Sequence, residues 1–404
     1  MDASAGTAGF EVRGLRVAHD PVPGPITALA LVVNAGARHD GPLPGLAHMA
    51  EHMLFQGTAD LDQLALNRRA AAVGGNHNAS TGYESIALTM EVFNEDFEEA
   101  LALVADQFYR SRVDERRFRK ERRVVEDEIR GYRDDPVEYV HERGWAAFYG
   151  EPIGHPICGT IASLRSMAAS DVADFLSERF VNANAALGVC GGLEADALRR
   201  ALERHVDADR VGVESAGCGA SPGREGRWTL RGGPEGQAHV VRWIEVDPEP
   251  RNLLALEVAI DLVGADPDSQ LFQAVRERHG LGYDVSAEME WGQGWAAAVL
   301  SASAAPGGAE RLSRVIDEVV ARSARSGFDR EDVERARKKR RYRYASLAER
   351  RLDRALAHAD SVLSGFPGLE ESERIVTALS DDEIARAWSS AVGGRSLTVL
   401  LDGR

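Results

Sequence analysis

The sequence of 404 residues contains only three cysteines, Cys158, Cys190 and Cys218. Their number is odd and none share a metal-type spacing, so neither a disulfide framework nor a cysteine-built metal site is expected. Long apolar runs are also missing: nothing approaches the roughly 18–20 residues that span a bilayer. The opening stretch MDASAGTAGFEVRGL lacks the basic region and apolar core of a secretory signal. A cytoplasmic protein without a membrane partner is expected. Positive charge is scarce as well. Lys and Arg number 48 against 64 Asp and Glu, and the net charge of −16 repels nucleic acid and anionic lipid.

What is present is the balance of an ordinary globular chain, 44% hydrophobic and 28% charged. Its length calls for two or three domains. The segment Val206 to Trp228, rich in small and turn-forming residues, reads as a linker between residues 1–205 and 229–404. The two halves run in the same order: an apolar strand (Thr27 to Asn34; His239 to Val246), two helices, paired alternating strands, an amphipathic run, a long charged helix, a further helix and a last strand. Local text agrees. RSRVDERRFRKERR from Arg110 lies over RSGFDREDVERARK from Arg325, and IASLRSMAASDVADF from Ile161 over IVTALSDDEIARAW from Ile375. An internal duplication is the reading. The fold class expected is α+β, with two homologous domains, each a mainly antiparallel sheet with helices packed on one face. Asp134-Asp135-Pro136 is expected to break the first charged helix.

Within GLAHMAEHMLFQGT, His48, Glu51 and His52 form the pattern H-x-x-E-H. Residues at i, i+3 and i+4 share one helix face. Two imidazoles can therefore grip one ion while the carboxylate points at the same place. Zinc suits two nitrogens and one carboxylate oxygen with a fourth position left for water, and Glu51 is then the base for that water. The third ligand must come from elsewhere. Glu121 and Glu128, seven apart on the charged helix, can each reach the ion; Glu126 lies on another face. The second half lacks this set, since Glu121 and Glu128 fall opposite Ala336 and Arg343. The basic stretches RRFRKERR (Arg116 to Arg123) and RARKKRRYR (Arg335 to Arg343) read as solvated helix faces, and Trp291 and Trp295 as core or interface aromatics.

These segments together resemble the pitrilysin-type (M16, inverzincin) zinc metallopeptidases, and most of all their short bacterial processing-peptidase-like branch. The resemblance is carried by the motif helix with HMLFQGT, by GGNHNAST, ERRVVEDEI followed by DDP, HPICGTIASL, and LFQAVRERHGLGYDV. It implies Glu128 as the third ligand of one Zn2+ per chain, and Glu121 as the carboxylate that orients the ligands. It implies that GGNHNASTGYESIAL is an edge strand onto which a peptide adds, with Asn78 and Ala79 against the substrate backbone. Arg276 and Tyr283 match a pair that holds the substrate and supports the developing oxyanion. Relatives enclose a chamber between four such domains, which for a two-domain chain implies a dimer: a homodimer, with a heterodimer of related subunits as the alternative. The activity implied is endopeptidase action on oligopeptides or unstructured segments, either general or dedicated to leader removal. The competing role is a non-catalytic assembly subunit.

Overall fold

A computed structural model describes residues 8–215, 219–282 and 284–403, so Cys218 and Tyr283 lie outside the described residues. The strands are β1 (Ala8–Val12), β2 (Leu15–Pro21), β3 (Ile26–Val33), β4 (Asn76–Thr81), β5 (Ile86–Phe93), β6 (Ala185–Gly191), β7 (Gly226–Thr229), β8 (Ala238–Glu245), β9 (Val285–Gly292), β10 (Trp295–Ala304) and β11 (Ser396–Leu401). The helices of the first half are α1 (Leu46–Leu54), α2 (Gln63–Ala72), α3 (Phe97–Arg110), α4 (Glu115–Asp134), α5 (Pro136–Phe148), α6 (Ile161–Ser166), α7 (Ala169–Arg179) and α8 (Ala195–His205). Those of the second are α9 (Pro250–Ile260), α10 (Gln270–Phe272), α11 (Ala309–Ser326), α12 (Arg330–Ala348), α13 (Arg351–Ser364), α14 (Leu369–Ala378) and α15 (Asp381–Val392). None is long and apolar enough to cross a membrane among the described residues.

The strands form two sheets, β1-β2-β6-β3-β5-β4 and β7-β11-β8-β10-β9. Each has one parallel pairing, β2 with β6 and β7 with β11, and is antiparallel elsewhere. The α+β class, with two domains, holds. Helix α4 ends at Asp134, and α5 starts at once with Pro136 in its first turn and Asp135 as its cap. Among the described residues, the stretch expected as a linker has no helix or strand over 206–215 and 219–225; it then supplies β7. Its early part is tied down: the N–H groups of Asn182 and Ala183 donate to the carbonyls of Arg210 and Val211.

The chain divides into two compact units, and neither is contiguous. Unit 1 comprises Met1–Ile129, His155–Gly217 and Ser346–Leu369; unit 2 comprises Arg130–Gly154, Cys218–Ala345 and Glu370–Arg404. The period-2 text of β3 explains why unit 1 needs the distant segment. Leu29, Leu31 and Val33 point into the large core with α1, α3 and α4, whereas Ala28, Ala30 and Val32 point to the opposite face. That second face is covered by α13, through Ala355, Leu356 and Ala359. Small residues let the helix come close. A Cβ on Gly188 of β6 would lie 1.8 Å from the carbonyl oxygen of Ala355. Helices therefore lie on both faces of this sheet, the second cover being one amphipathic helix that the comparison of the two halves did not reveal. Unit 2 borrows in the same way: α5, from the first half, places Gly144 against the ring of Trp243 on β8. Trp145 and Tyr149 meet Trp295 at ring-centroid distances of 5.2 and 5.4 Å.

The basic run on α12 is mostly engaged. Arg340 donates to Asp261 at 2.8 and 3.0 Å, Arg343 pairs with the same carboxylate, and Arg337 pairs with Asp381 at 2.9 Å. Tyr344 donates to Glu257. Two carboxylates four apart, Glu257 and Asp261, thus face two guanidinium groups inside unit 2.

Candidate metal centre

Helix α1 is built on its apolar side. Met49, Ala50, Met53 and Leu54 are buried in the core of unit 1, which leaves His48, Glu51 and His52 on the remaining face. Its start is fixed by Gly45, which takes φ of 92°. The buried carboxylate of Asp40 accepts the N–H groups of Gly45 and Ala47 at 2.6 and 2.8 Å, satisfying donors that the helix itself leaves open. Helix α4 presents a stripe of Phe118, Glu121, Val125 and Ile129 to the core. Glu121 therefore stands where the spacing calls for an apolar residue.

The two helices bring the donor atoms together. Glu128 Oε2 lies 3.9 Å from His48 Nε2 and 3.8 Å from His52 Nε2. The imidazole centroids are 4.7 Å apart and nearly perpendicular. Two bonds of about 2.0–2.1 Å at a tetrahedral angle separate their donors by roughly 3.4 Å, so this spacing fits one zinc ion. Glu121 does not share that point. Its Oε2 is 3.3 Å from His52 Nδ1, the far side of the ring, where a carboxylate sets the tautomer and aims Nε2. Glu126 is turned away, 3.7 Å from Arg165. Thr81, on β4, donates to Glu51 Oε2 at 2.6 Å and so ties the carboxylate of the motif to the neighbouring strand. Another side chain joins the group: Cys158 Sγ lies 4.0 Å from both His48 Nε2 and Glu128 Oε1.

The electrostatics suit a cation. Burial, assisted by the charge of His52, pushes His48 down to about 4, which keeps its imidazole neutral. His52 is also penalised by burial, but its hydrogen bond to Glu121 and the charges of Glu51, Glu128 and Glu121 outweigh this and raise it. Burial raises Glu51, with Glu128 adding to the rise while Thr81 and His52 oppose it. One imidazole nitrogen of the site, His48 Nδ1, is buried without a hydrogen-bond partner among the described residues. Two neutral-capable imidazoles and a carboxylate at one point form a donor set of zinc type.

Among the described residues, strand β4 is the edge of its sheet, paired only with β5. His77, Ala79 and Thr81 alternate inward, while Asn76, Asn78 and Ser80 face out. Asn78 and Ala79 lie opposite Thr89 and Leu88. Arg276 belongs to unit 2, in a π-helical turn at Gln273–Arg278, exposed and over the ring of Phe272 at 5.4 Å. Tyr283 is outside the described residues. Among the residues at the centre, Thr81 and Cys158 were not singled out in the sequence. A single Thr at the end of a strand carries no spacing signal, and Cys158 has no second cysteine at a metal-type spacing.

Residues 16–161 match the profile of the insulinase family (peptidase family M16), and residues 166–340 match that of the peptidase M16 inactive domain. An uncharacterized zinc protease of Mycobacterium leprae is 29% identical over 327 residues, covering 78% of this chain and 73% of that protein. Another, YmxG of Bacillus subtilis, is 27% identical over 315 residues, covering 77% of this chain and 76% of its own length. The crystal structure of a protease from Helicobacter pylori has the same fold, with a TM-score of 0.89 at 18% identity over 98% of this chain and 99% of that one. The first profile spans every donor that meets between α1 and α4, and the second begins just beyond them: the chain belongs to the M16 peptidase family.

Proposed function

We propose that this chain is a zinc endopeptidase that cuts oligopeptides or unstructured segments. The observation that carries the reading is the meeting of His48 Nε2 and His52 Nε2 at a single oxygen of Glu128. His48, His52 and Glu128 would hold the ion, and Glu121 would keep the ring of His52 oriented through Nδ1. When bound, zinc supplies Lewis acidity toward the scissile carbonyl and makes a water acidic near neutral pH. Glu51 accepts the proton of the attacking water and passes it to the departing amine. Thr81 holds the carboxylate of Glu51 in place for both transfers. An extended peptide adds along β4, where main-chain groups near Asn78 and Ala79 bind its backbone without demanding a sequence. Arg276 and Tyr283 donate to the substrate carbonyl as negative charge gathers on it.

The test is zinc quantification on the purified full chain, followed by mass-spectrometric mapping of cuts in a mixed pool of unrelated peptides, before and after chelation. Glu51→Gln should keep its zinc and lose about 10²–10⁴ of the turnover, the range for removing a general base. Turnover close to wild type in that variant sinks the assignment. Cleavage of one peptide class alone would narrow the activity to leader removal. We propose in addition that the active form is a homodimer. Sedimentation of the pure chain at twice its monomer mass is expected, and a monomer that cleaves peptides at full rate refutes it.

A further inference from the structure

The Cys158 thiol is a soft donor beside the His48–His52–Glu128 set, and the described residues include a group of His48, Glu128 and Cys158 whose donor atoms lie within 4.8 Å of one another. We propose that Cys158 is itself a donor to the metal, giving the centre a closed form with four protein donors and an open form with three. This rests on the zinc reading above.

The thiol is not there through a loose loop. A Cβ on Gly45 would lie 2.7 Å from the carbonyl oxygen of Cys158 and 2.9 Å from Cα of Gly159. A Cβ on Gly159, whose φ is 74°, would lie 2.1 Å from the carbonyl oxygen of Pro44. The backbone at Cys158 is thus pressed directly onto the residue that starts α1, the helix bearing both imidazoles. Downstream, Ser163 Oγ donates to the same Pro44 carbonyl at 2.7 Å, and Thr160 and Ser163 cap α6 reciprocally. The segment is clamped at the cysteine and just after it, and its Sγ sits 4.0 Å from one atom of each of two ligands.

Thiolate is a preferred zinc ligand, and four protein donors are the mark of a structural site whereas three are the mark of a catalytic one. In the closed form the thiol gives its proton to solvent, a sulfur–metal bond forms, and the water in the fourth position leaves. In the open form these changes reverse, with no oxidant or reductant involved. The centre then carries its own competitor for the position that the reaction requires.

The experiment uses the full chain, stripped by chelation and reloaded with Zn2+ or Co2+. The cobalt form should show near-ultraviolet absorption from thiolate-to-metal charge transfer, lost in Cys158→Ala while the visible cobalt bands persist. Cys158→Ser, which keeps the side-chain volume, serves as the second variant should the alanine form fail to fold. Zinc should slow alkylation of Cys158 by iodoacetamide about tenfold or more relative to the stripped protein, because a metal-bound thiolate is a poor nucleophile. The buried Cys190 is the internal comparison in the same digest. Visible cobalt bands with identical near-ultraviolet absorption in wild type and variants overturn the role of Cys158 and leave the peptidase reading standing. A wild-type chain that takes up neither metal overturns both.

Discussion

Glu121 and Glu128 lie on one stripe of α4, seven residues apart; spacing alone offers both as ligands, and only the family resemblance implies Glu128. What separates them is reach. Glu121 enters the apolar stripe between Phe118 and Val125 and meets the Nδ1 side of His52, while Glu128 meets both Nε2 atoms. Helical spacing tells which face a side chain occupies and not which side of an imidazole it will find, so the periodicity alone cannot draw this distinction and the family resemblance is what implies it. The H-x-x-E-H set itself was legible because three residues of one face need only a helix, and the apolar positions around them guarantee one. Glu121→Gln should keep the fold and weaken zinc binding by about 10–100-fold, the usual effect of losing a carboxylate behind a ligand histidine. Competition titration with a metal chelator measures it, and an unchanged affinity would remove Glu121 from the site.

At the scale of elements, the strand pairs and long helices of each half followed from their periodicity. Helix α13 did not. Its sequence carries an apolar face with no visible partner, because the partner is a row of alanines and a glycine on β3 and β6, some of the weakest hydrophobic signals a strand can give. What fastens α13 is polar: Asp20 on β2 accepts from Arg354 Nε at 2.5 Å and pairs with His358 Nε2 at 2.9 Å, all three side chains being largely buried. Burial alone would raise Asp20, but the hydrogen bonds and charges of His358 and Arg354 prevail and hold it below the ordinary 3.8. A carboxylate lowered in the folded state contributes stability that is fully present above its unfolded value and is lost as pH falls through the folded one. Hydrogen exchange of residues 351–364 should therefore accelerate below about pH 4 in the wild type. Asp20→Asn should show that acceleration already at neutral pH, since it leaves the largely buried Arg354 guanidinium uncompensated, a loss of about 3–5 kcal/mol. Equal protection of α13 in both proteins across this range would refute the anchoring.

For the whole molecule, the duplication read from local text corresponds to two sheets of like strand order, and the second half differs from the first where chemistry is concerned. In place of two imidazoles four apart and a facing carboxylate, unit 2 has Glu257 and Asp261 four apart and facing Arg340 and Arg343. Guanidinium groups neutralise these acids with no ion required. The boundary between the halves in sequence is not the boundary between the units, since each unit includes a segment from the far half. A fragment ending at residue 217 lacks α13 and would expose Ala28, Ala30, Ala186 and Cys190 to water. It should be insoluble or lack cooperative unfolding when made alone, and should be rescued by co-expression with the remainder of the chain. A fragment that melts as sharply as the intact protein argues against this dependence.

That interlacing also sets a timetable for synthesis. A ribosome finishes every residue of the donor set long before it reaches Ser346–Leu369, so the nascent N-terminal sheet waits with one flank bare while the whole second sheet except its last strand is still being made. Translation order and folding order are thereby decoupled in this protein, and a ribosome stalled past residue 217 should hold a client for chaperones rather than a finished protease half.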